Sequence, residues 1–246
     1  AVWSDAKTAF AGEITARGKG TGAGGAVETS GAKVQITGSV NASSEAGKGG
    51  EWLIDPDDIE VKTRAAGDPE KGSQADVQTV TNSLNSGTSV TIQTPNLTGN
   101  NDNFIKVQDA ITKTVGGDAT LTLKATGDIS VNANITSTAG KLSVDILSDT
   151  NGRAGGNISV ANGVQLRTRG GNVKLGGGLT ENGIGFANSP NTGTAGITLG
   201  TATIDTRDAG GVGGTVEMAG STTTADAGIQ LAGTQIQAGT GKVKLV

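Results

Sequence analysis

The feature that most constrains this chain of 246 residues is an internal repeat of short alternating strands separated by glycine-rich gaps. From Gly31 the order is strand, short link, strand, glycine gap and strand, and a weaker copy precedes it. The same order returns at Gly127–Ile146, Gly156–Leu175, Ala195–Met218 and Ala227–Leu245. A unit of roughly 20 to 24 residues cannot bury its apolar face alone, so we expect the copies to stack around one continuous core.

The first strand of each copy carries apolar residues two positions apart, the period of a strand with one face inward and one outward. These pairs are Val34/Ile36, Ile129/Val131, Ile158/Val160, Ile197/Leu199 and Ile229/Leu231. Three such strands per turn, joined by glycine bends, predict an all-β parallel β-helix (solenoid) of about ten coils at roughly 22 residues per coil. The alternative is an antiparallel β-sandwich, but the hairpin dipeptides do not fall regularly between strand pairs.

Composition narrows the chemistry. The chain has 42 Gly but only two Trp, three Phe and no Tyr, so we expect small Ala, Thr and Val side chains to fill a narrow interior. Without Cys or His it lacks thiol chemistry, the commonest metal ligand and the usual general base. A net charge of −4 disfavours nucleic acid and anionic membranes as partners. We therefore expect no catalytic, cofactor-binding or metal-binding residues and no enzymatic activity.

Two segments interrupt the repeat within an otherwise single shaft over 1–246. The first, 62–88, begins as a polar loop and then shows helical spacing at Val77, Val80 and Leu84. This spacing predicts a short helix over about Asp76–Asn85, packed against the outside of the coils or along their groove. The second interruption is an irregular loop insertion at 177–194.

Several stretches resemble a known family. The chain opens with "VWSDAKTAFAGEITARG" and continues with "GGAVETSG" and "GKGGEWLIDPDDIEV", and later shows "VTNSLNSGTSVTIQT" and "GDISVNANI". Over roughly Val2 to Ile135 this order is similar to exoproteins of bacterial two-partner secretion systems, which include the filamentous haemagglutinin and the high-molecular-weight adhesins. Those proteins share a Trp-Ser/Ala-Asp start, "ISARGG", "GGFVETSG" and "LLDP", and here Ala26 and Leu53–Pro56 take the corresponding places.

The resemblance implies a right-handed β-helical shaft on, or released from, the outer surface of a Gram-negative cell. It implies export of the parent protein by an outer-membrane two-partner secretion transporter. The family's N-terminal secretion domain, with its Asn-Pro motifs, is not represented in the sequence, and both ends fall inside strand-like sequence. We therefore expect a piece of a longer protein, with end-to-end self-association through uncapped terminal coils.

The densest acidic run is "IDPDDIE", with Asp55, Asp57, Asp58 and Glu60. Clustered carboxylates are what Ca²⁺ prefers, yet the run lacks both the EF-hand spacing and the Gly-Gly-x-Gly-x-Asp repeat. Asp-Pro-Asp-Asp is also an ordinary turn sequence, and we take it as one.

Other charged residues could form sites on the coils. A carbohydrate-active β-helix needs clustered acids with a Lys or Arg on neighbouring coils, and loops at coil corners produce similar runs. The two candidate catalytic sets are Asp145/Asp149/Arg153 and Asp205/Arg207/Asp208. A weak basic stripe would comprise Arg167, Arg169, Lys174 and Lys242. For all three groups we expect solvated surface.

Four Asn-x-Ser/Thr sequons occur, at Asn41, Asn96, Asn134 and Asn157. Some adhesins of the resembled family carry glycans at such sites. Stacked side-chain hydrogen bonds between coils are the alternative role for these asparagines, and the sequence leaves both open.

Three functions remain in view. The first is a structural or adhesive shaft segment that contacts host cells, other bacteria or biofilm matrix, with a host-cell receptor or glycan as partner and a role in virulence. The second is a carbohydrate-binding or carbohydrate-active β-helix. The third is the shaft of a haemolysin or contact-dependent toxin. The first is our prediction.

Overall fold

The computed structural model describes residues 1–64, 72–94, 103–152, 155–180, 183–189, 191, 193–222 and 227–246. Its elements up to the middle of the chain are β1 (Val2–Phe10), β2 (Glu13–Thr15), β3 (Ala26–Ile36), β4 (Ser39–Asn41), β5 (Glu51–Asp55), β6 (Ile59–Lys62), β7 (Gln74–Asp76), α1 (Val77–Asn85), β8 (Ser89–Gln93), β9 (Ile105–Val107), β10 (Ile111–Lys113), β11 (Ala119–Lys124), β12 (Ile129–Val131) and β13 (Ile135–Ser137).

The later elements are all strands: β14 (Leu142–Leu147), β15 (Ile158–Val160), β16 (Gln165–Arg167), β17 (Val173–Gly176), β18 (Leu179–Thr180), β19 (Gly183–Ile184), β20 (Ala187–Ser189), β21 (Ile197–Leu199), β22 (Thr203–Asp205), β23 (Val216–Met218), β24 (Gly220–Thr222), β25 (Ile229–Leu231), β26 (Gln235–Gln237) and β27 (Val243–Leu245).

The strands stack into three faces of a parallel β-helix, as the repeat predicts. Face A contains β5, β8, β11, β14, β17, β23 and β27, and face B contains β7, β6, β9, β12, β15, β21 and β25. Face C contains β2 and β4 and then, beyond α1, β10, β13, β16, β22 and β26. The long strands β1 and β3 run across faces A and B and join them into one 16-stranded sheet. The neighbours on these faces pair in parallel, which excludes the antiparallel sandwich.

The interior consists of aliphatic columns, because equivalent positions of successive rungs lie directly above one another. On face B, Ile59, Ile105, Ile129, Ile158 and Ile197 form one fully buried column. On face A the corresponding column begins with Trp52 and continues through Val90, Leu121, Val144, Val173 and Val216. Val fills much of the interior as expected, but it is joined by the larger Ile and Leu, which the prediction of a narrow interior did not include. Each buried Ile or Leu contributes about 1.5–3 kcal/mol.

The predicted helix is present, and its position within the fold differs from the expectation. Asp76 caps α1 by accepting a hydrogen bond at 2.8 Å from the Gln78 N–H, and Val80 and Leu84 are fully buried. Instead of packing outside the coils, α1 lies between β4 and β10 and takes the place of strands in face C. A helix is about 10 Å wide, which equals two strand spacings of ~4.8 Å. Between the coil of β3 and β4 and the coil of β8, β9 and β10, face B contains two strands, β7 and β6, and face A contains β5.

Face B reaches this arrangement through an inverted strand order. β6 precedes β7 in the chain, yet β7 lies between β3 and β6 in the sheet. Side chains of α1 and of the segment that follows it form hydrogen bonds with the neighbouring strands of face C. The Ser83 Oγ and Thr88 Oγ1 atoms accept hydrogen bonds from the Val40 and Ala42 N–H groups, at 3.1 and 2.8 Å. Asn85 Oδ1 accepts from the Thr114 N–H at 2.8 Å on the other side.

A side structure lies within the predicted irregular segment 177–194. β18 and β19 form an antiparallel pair, and β20 pairs in parallel with β24, outside the three faces. Within the described ranges, no helix is long and apolar enough to cross a membrane.

Candidate ligand furrow

A cavity runs along the edge where each coil turns from face C to face A. Its volume is about 430 Å³, and we call it the corner furrow. It is lined by Lys48, Gly49, Gly87, Ser89, Asp118, Ala119, Thr120, Lys141, Ser143, Gly170, Gly171, Asn172, Gly213, Gly214 and Thr215. It passes the starts of β5, β8, β11, β14, β17 and β23, five steps of ~4.8 Å, and is therefore about 24 Å long. Two smaller cavities, of about 300 and 290 Å³, share Lys48 and Gly49 with it.

Glycine forms the floor of the furrow because successive corners lie too close for a side chain. A Cβ on Gly171 would lie 2.4 Å from the Leu142 carbonyl oxygen, and one on Gly214 would lie 2.1 Å from that of Gly171. Gly241 repeats the contact against Gly214, again at 2.1 Å. Main chain of neighbouring coils therefore packs directly together along the furrow, without side chains between the corners.

Short polar side chains form one wall of the furrow, at the first outward position of each face-A strand. Ser89, Thr120, Ser143, Asn172 and Thr215 follow one another in register. The Oγ atoms of Ser89 and Ser143 accept hydrogen bonds from the N–H groups of Thr120 and Asn172, at 3.1 and 3.2 Å. Asn172 Oδ1 accepts from the Thr215 N–H at 2.8 Å. These bonds satisfy the backbone N–H groups at the starts of three rungs. The Ser and Thr hydroxyls and the Asn172 side-chain amide remain along the wall as hydrogen-bond donors.

The charged groups at the furrow are Lys48, Asp118 and Lys141, all exposed. Asp118 Oδ1 accepts a hydrogen bond from the Lys141 N–H at 2.8 Å, which fixes the carboxylate against the corner. In the described part of the chain, neither the Lys48 nor the Lys141 ammonium forms an ion pair with a carboxylate. The furrow thus has two available cations.

A buried lysine forms hydrogen bonds with the main chain on the inner side of the same edge. Lys113 is fully buried, and its Nζ donates to the carbonyl oxygens of Val115, Gly116 and Ala139, at 2.6, 3.1 and 2.6 Å. Burial lowers the pKa of Lys113, and the nearby Asp118 carboxylate offsets part of this effect. On the next rung, the Ser137 hydroxyl takes the position equivalent to Lys113 and donates to the Ala139 and Gly140 carbonyl oxygens.

The acidic run predicted as a turn lies at the opposite edge of face A, where the chain turns to face B. Asp55 ends β5, Asp57 and Asp58 follow in the turn, and Glu60 lies on the outer side of β6, 3.9 Å from the Lys62 Nζ. Among the described residues, no three acidic side chains are arranged to hold a metal ion. Asp57 and Asp58 lie in the turn that joins β5 to β6, where the turn interpretation places them.

Asp55 and Asp57 nevertheless lie in a second cavity, of about 400 Å³, together with Glu28, Asp5 and the exposed Trp3. We call this group the acidic corner. Burial raises the pKa of Asp55, and the nearby Glu28 and Asp57 carboxylates raise it further against a smaller opposing effect of Lys124. Burial also raises the pKa of Asp57, with a contribution from Asp58. The carboxylates thus repel one another in the folded state.

The structure does not assemble the first candidate catalytic set. Asp145 lies on the outer side of face A, in a column with Lys174, Glu217 and Lys244 whose charges alternate in sign. The Lys244 Nζ lies 2.8 Å from Glu217 Oε1. Burial raises the pKa of Asp145, and Lys174 partly opposes the shift. Asp149 is buried in the following loop, and Arg153 lies outside the described residues.

The second set is an ion pair and a turn cap. Asp205 accepts hydrogen bonds from the Arg207 Nε and Nη2, both at 2.9 Å, and these bonds lower the pKa of Asp205. Asp208 Oδ1 accepts from the Gly210 and Val212 N–H groups and closes its own loop. The three side chains therefore already have structural partners.

The basic stripe is divided between faces. Arg167 lies on face C beside Asp205, while Lys174 belongs to the alternating column of face A. Arg169 and Lys242 are exposed near the turn between these faces, and Arg169 adopts a left-handed backbone with φ 51°. No continuous stripe results from these four residues.

One sequon asparagine, Asn134, forms a bond between coils of the kind considered, and Asn41 forms a local one. Asn134 Oδ1 accepts from the Gln165 N–H of the next coil at 2.8 Å, and Asn41 Oδ1 accepts from the Ser43 Oγ at 2.7 Å. Asn157 is partly exposed at the start of a rung, where its N–H donates to Asp128 Oδ1. Asn96 lies outside the described residues. These contacts leave glycosylation as a prediction.

Sequence reasoning missed the corner furrow, although a signal is present. A glycine stands two residues before each of β11, β14, β17, β23 and β27, at Gly117, Gly140, Gly171, Gly214 and Gly241. Glycines were interpreted only as bends, and their alignment along one edge was not used.

Comparison with known proteins adds no relative: no protein-family model and no curated protein matches the chain. The likeness to two-partner secretion exoproteins therefore rests on the motifs quoted above.

Proposed function

We propose that this chain is a structural and adhesive shaft segment of a large exoprotein on, or released from, the surface of a Gram-negative bacterium. In this proposal a two-partner secretion transporter exports the parent protein. The observation that carries the adhesive part is the corner furrow, a continuous open channel along a rigid rod. A rod with a repeating surface favours contacts that are shallow individually and strong in number.

The sequence motifs support the family assignment, and the fold is the one that they imply. The candidate catalytic sets are occupied by an alternating charge column, an ion pair and a turn cap, as far as the described residues extend. These contacts favour a structural role for those charges. Partners of the proposed shaft are a host-cell receptor or glycan, other bacteria or biofilm matrix, and further copies of the rod end to end.

A binding panel tests this proposal. The purified chain is measured against host cells, glycans and matrix polymers, with an unrelated β-helix of similar charge as the control. Saturable binding above the control is the expected result. Binding no greater than that of the control would make the chain a spacer and would reject the adhesive function.

A carbohydrate-binding β-helix is the second candidate, and the corner furrow specifically favours it. Polysaccharides are long and repetitive, and the furrow offers hydroxyl and amide groups at a regular interval. The shaft of a haemolysin or toxin draws no separate support from the geometry.

A further inference from the structure

We propose that the corner furrow binds an extended anionic polysaccharide lying parallel to the axis of the rod. This inference rests on the proposed function and specifies its ligand and its site. Four properties of the furrow support this proposal. They are its length, its repeating wall of polar side chains, its two lysines without an ion-pair partner among the described residues, and its backbone amides, which already donate hydrogen bonds within the protein.

Length selects a polymer. A channel about 24 Å long that crosses the starts of six strands has no enclosed end at which a compact ligand would be surrounded. Its glycine floor adds no side chain that would interrupt the channel at Gly87, Gly171 and Gly214. A linear chain can occupy the whole channel, whereas a small molecule would use only one rung of it.

The wall selects a repeating polar ligand. One short polar side chain per rung faces the furrow from Ser89 to Thr215, at intervals of ~4.8 Å. This interval is comparable to the length of one sugar unit in an extended chain, so each rung can form similar hydrogen bonds with successive sugars. The furrow has no aromatic lining, and hydrogen bonds and charge rather than stacking must therefore supply the affinity.

The lysines select negative charge. Lys48 and Lys141 precede β5 and β14, three rungs apart, which places them ~14 Å from each other along the axis. The intervening Asp118 accepts the Lys141 N–H, so the carboxylate already has a donor while both ammonium groups are available. Carboxylate or sulfate groups on a polysaccharide would pair with these lysines.

The backbone argues against a peptide in the same channel. A peptide strand would need free N–H groups at an open sheet edge. The amides of Thr120, Asn172 and Thr215 already donate to side chains of the preceding rung. Nucleic acid is disfavoured because the furrow lacks aromatic side chains for base stacking.

Calorimetric titration of the whole chain tests the proposal, with an oligogalacturonate long enough to span the furrow as the probe. The same oligosaccharide with its carboxyl groups methyl-esterified is the neutral control, and a sulfated glucan oligosaccharide distinguishes sulfate from carboxylate. We expect binding of at least one anionic probe, at least tenfold weaker binding of the neutral ester, and loss of affinity with added salt.

Two pairs of variants localise the binding. Thr120→Trp fills the middle of the furrow without changing the glycine floor, and Thr198→Trp makes the same change on the outer side of face B. Lys141→Gln removes a furrow charge, and Lys33→Gln removes an exposed charge on β3. We expect Thr120→Trp to weaken binding more than tenfold and Lys141→Gln to weaken it about 3- to 10-fold, with both controls unchanged.

The outcomes separate the two proposals. Equal binding of the neutral ester, or binding unaffected by Thr120→Trp and Lys141→Gln, would overturn the furrow assignment. If the same variants still bound cells in the panel, the adhesive function would stand and its site would lie elsewhere. If a variant failed to fold, the wild-type comparison of anionic with neutral probe and its salt dependence would still decide the charge requirement.

Discussion

The two long edges of face A differ in what the stacked coils permit there. At the edge with face C, several corners, such as those at Gly140, Gly171 and Gly214, lie so close to the neighbouring coil that main chain occupies the space of a Cβ. At the edge with face B, near the start of the chain, side chains are accommodated and carboxylates gather around Asp55. Backbone packing therefore determines which residues can occupy the edge with face C. At the edge with face B, the carboxylates repel one another without disrupting the fold.

The largest effect is expected from Lys113→Met on the furrow edge. This change removes three hydrogen bonds of the buried Lys113 ammonium, to the Val115, Gly116 and Ala139 carbonyl groups, of which Ala139 keeps its bond from Ser137. A loss of about 3 kcal/mol in the free energy of unfolding follows from charged, buried hydrogen bonds. Urea denaturation measures it, and Ser137→Ala, which removes a neutral donor on the next rung, should cost about 1 kcal/mol. Equal losses in the two variants would contradict the role given to Lys113.

Gly214→Ala tests the steric origin of the glycine floor. The new methyl group would meet the Gly171 carbonyl oxygen at 2.1 Å, so the corner must shift, at a cost of about 1–3 kcal/mol. Gly117→Ala is the matched control, because a Cβ there has nothing within 4 Å and needs no left-handed backbone. Urea midpoints compare the two variants. Should Gly117→Ala destabilise as much as Gly214→Ala, close approach would not be the reason for glycine at this edge.

The column between the two edges carries a smaller, electrostatic contribution. Lys174→Glu would place Asp145, the new glutamate and Glu217 in succession on the outer side of face A. Like charges directly opposite each other in a sheet destabilise by about 0.2–1 kcal/mol, and salt screens the repulsion. Denaturation at low and at high ionic strength should show a loss that shrinks with salt. A loss independent of salt would indicate a packing role for Lys174 instead.

Asp55→Asn should produce the smallest change, and a stabilising one at neutral pH. The raised pKa of Asp55 means that its ionised form is disfavoured in the folded state relative to the unfolded state. Between the ordinary value of 3.8 and the raised value, the folded state binds more protons, so stability falls as pH rises through this window. The asparagine variant avoids this loss.

The effect of Asp55→Asn is measured by thermal denaturation between about pH 3 and pH 7. This range includes the pH window in which the carboxyl group titrates. The stability advantage of the variant should be full at neutral pH and disappear as pH falls below the ordinary carboxyl value. An advantage that persisted in acid would mean that shape, rather than the repulsion by Glu28 and Asp57, accounts for the difference.

Much of the fold could be predicted from local pattern. The period of two at Ile129 and Val131 predicted inward columns, and helical spacing at Val80 and Leu84 predicted α1. The replacement of face-C strands by α1 could not be predicted, since it depends on bonds such as that between Val40 and Ser83, 43 residues apart. The inverted order of β6 and β7 likewise follows from sheet pairing rather than local preference.

The candidate site was less accessible to sequence reasoning for the same reason. The charged residues of the furrow are far apart in sequence. They line the same channel only because the coils stack in register, and they are Lys48, Asp118 and Lys141. Charged residues that are close in sequence drew attention instead, and of these Asp205 and Arg207 neutralise each other. In a solenoid, proximity along the axis matters more than proximity along the chain.

The most direct test of the account is a map of backbone amide chemical shifts during titration with the oligogalacturonate. We predict saturable shifts along the corner furrow, at Gly87, Asp118, Gly171 and Gly214, with the acidic corner around Glu28 and Asp55 unchanged. Shifts centred on the acidic corner, or no saturable shifts at the furrow, would contradict the claim that the bare edge of face A is the binding surface.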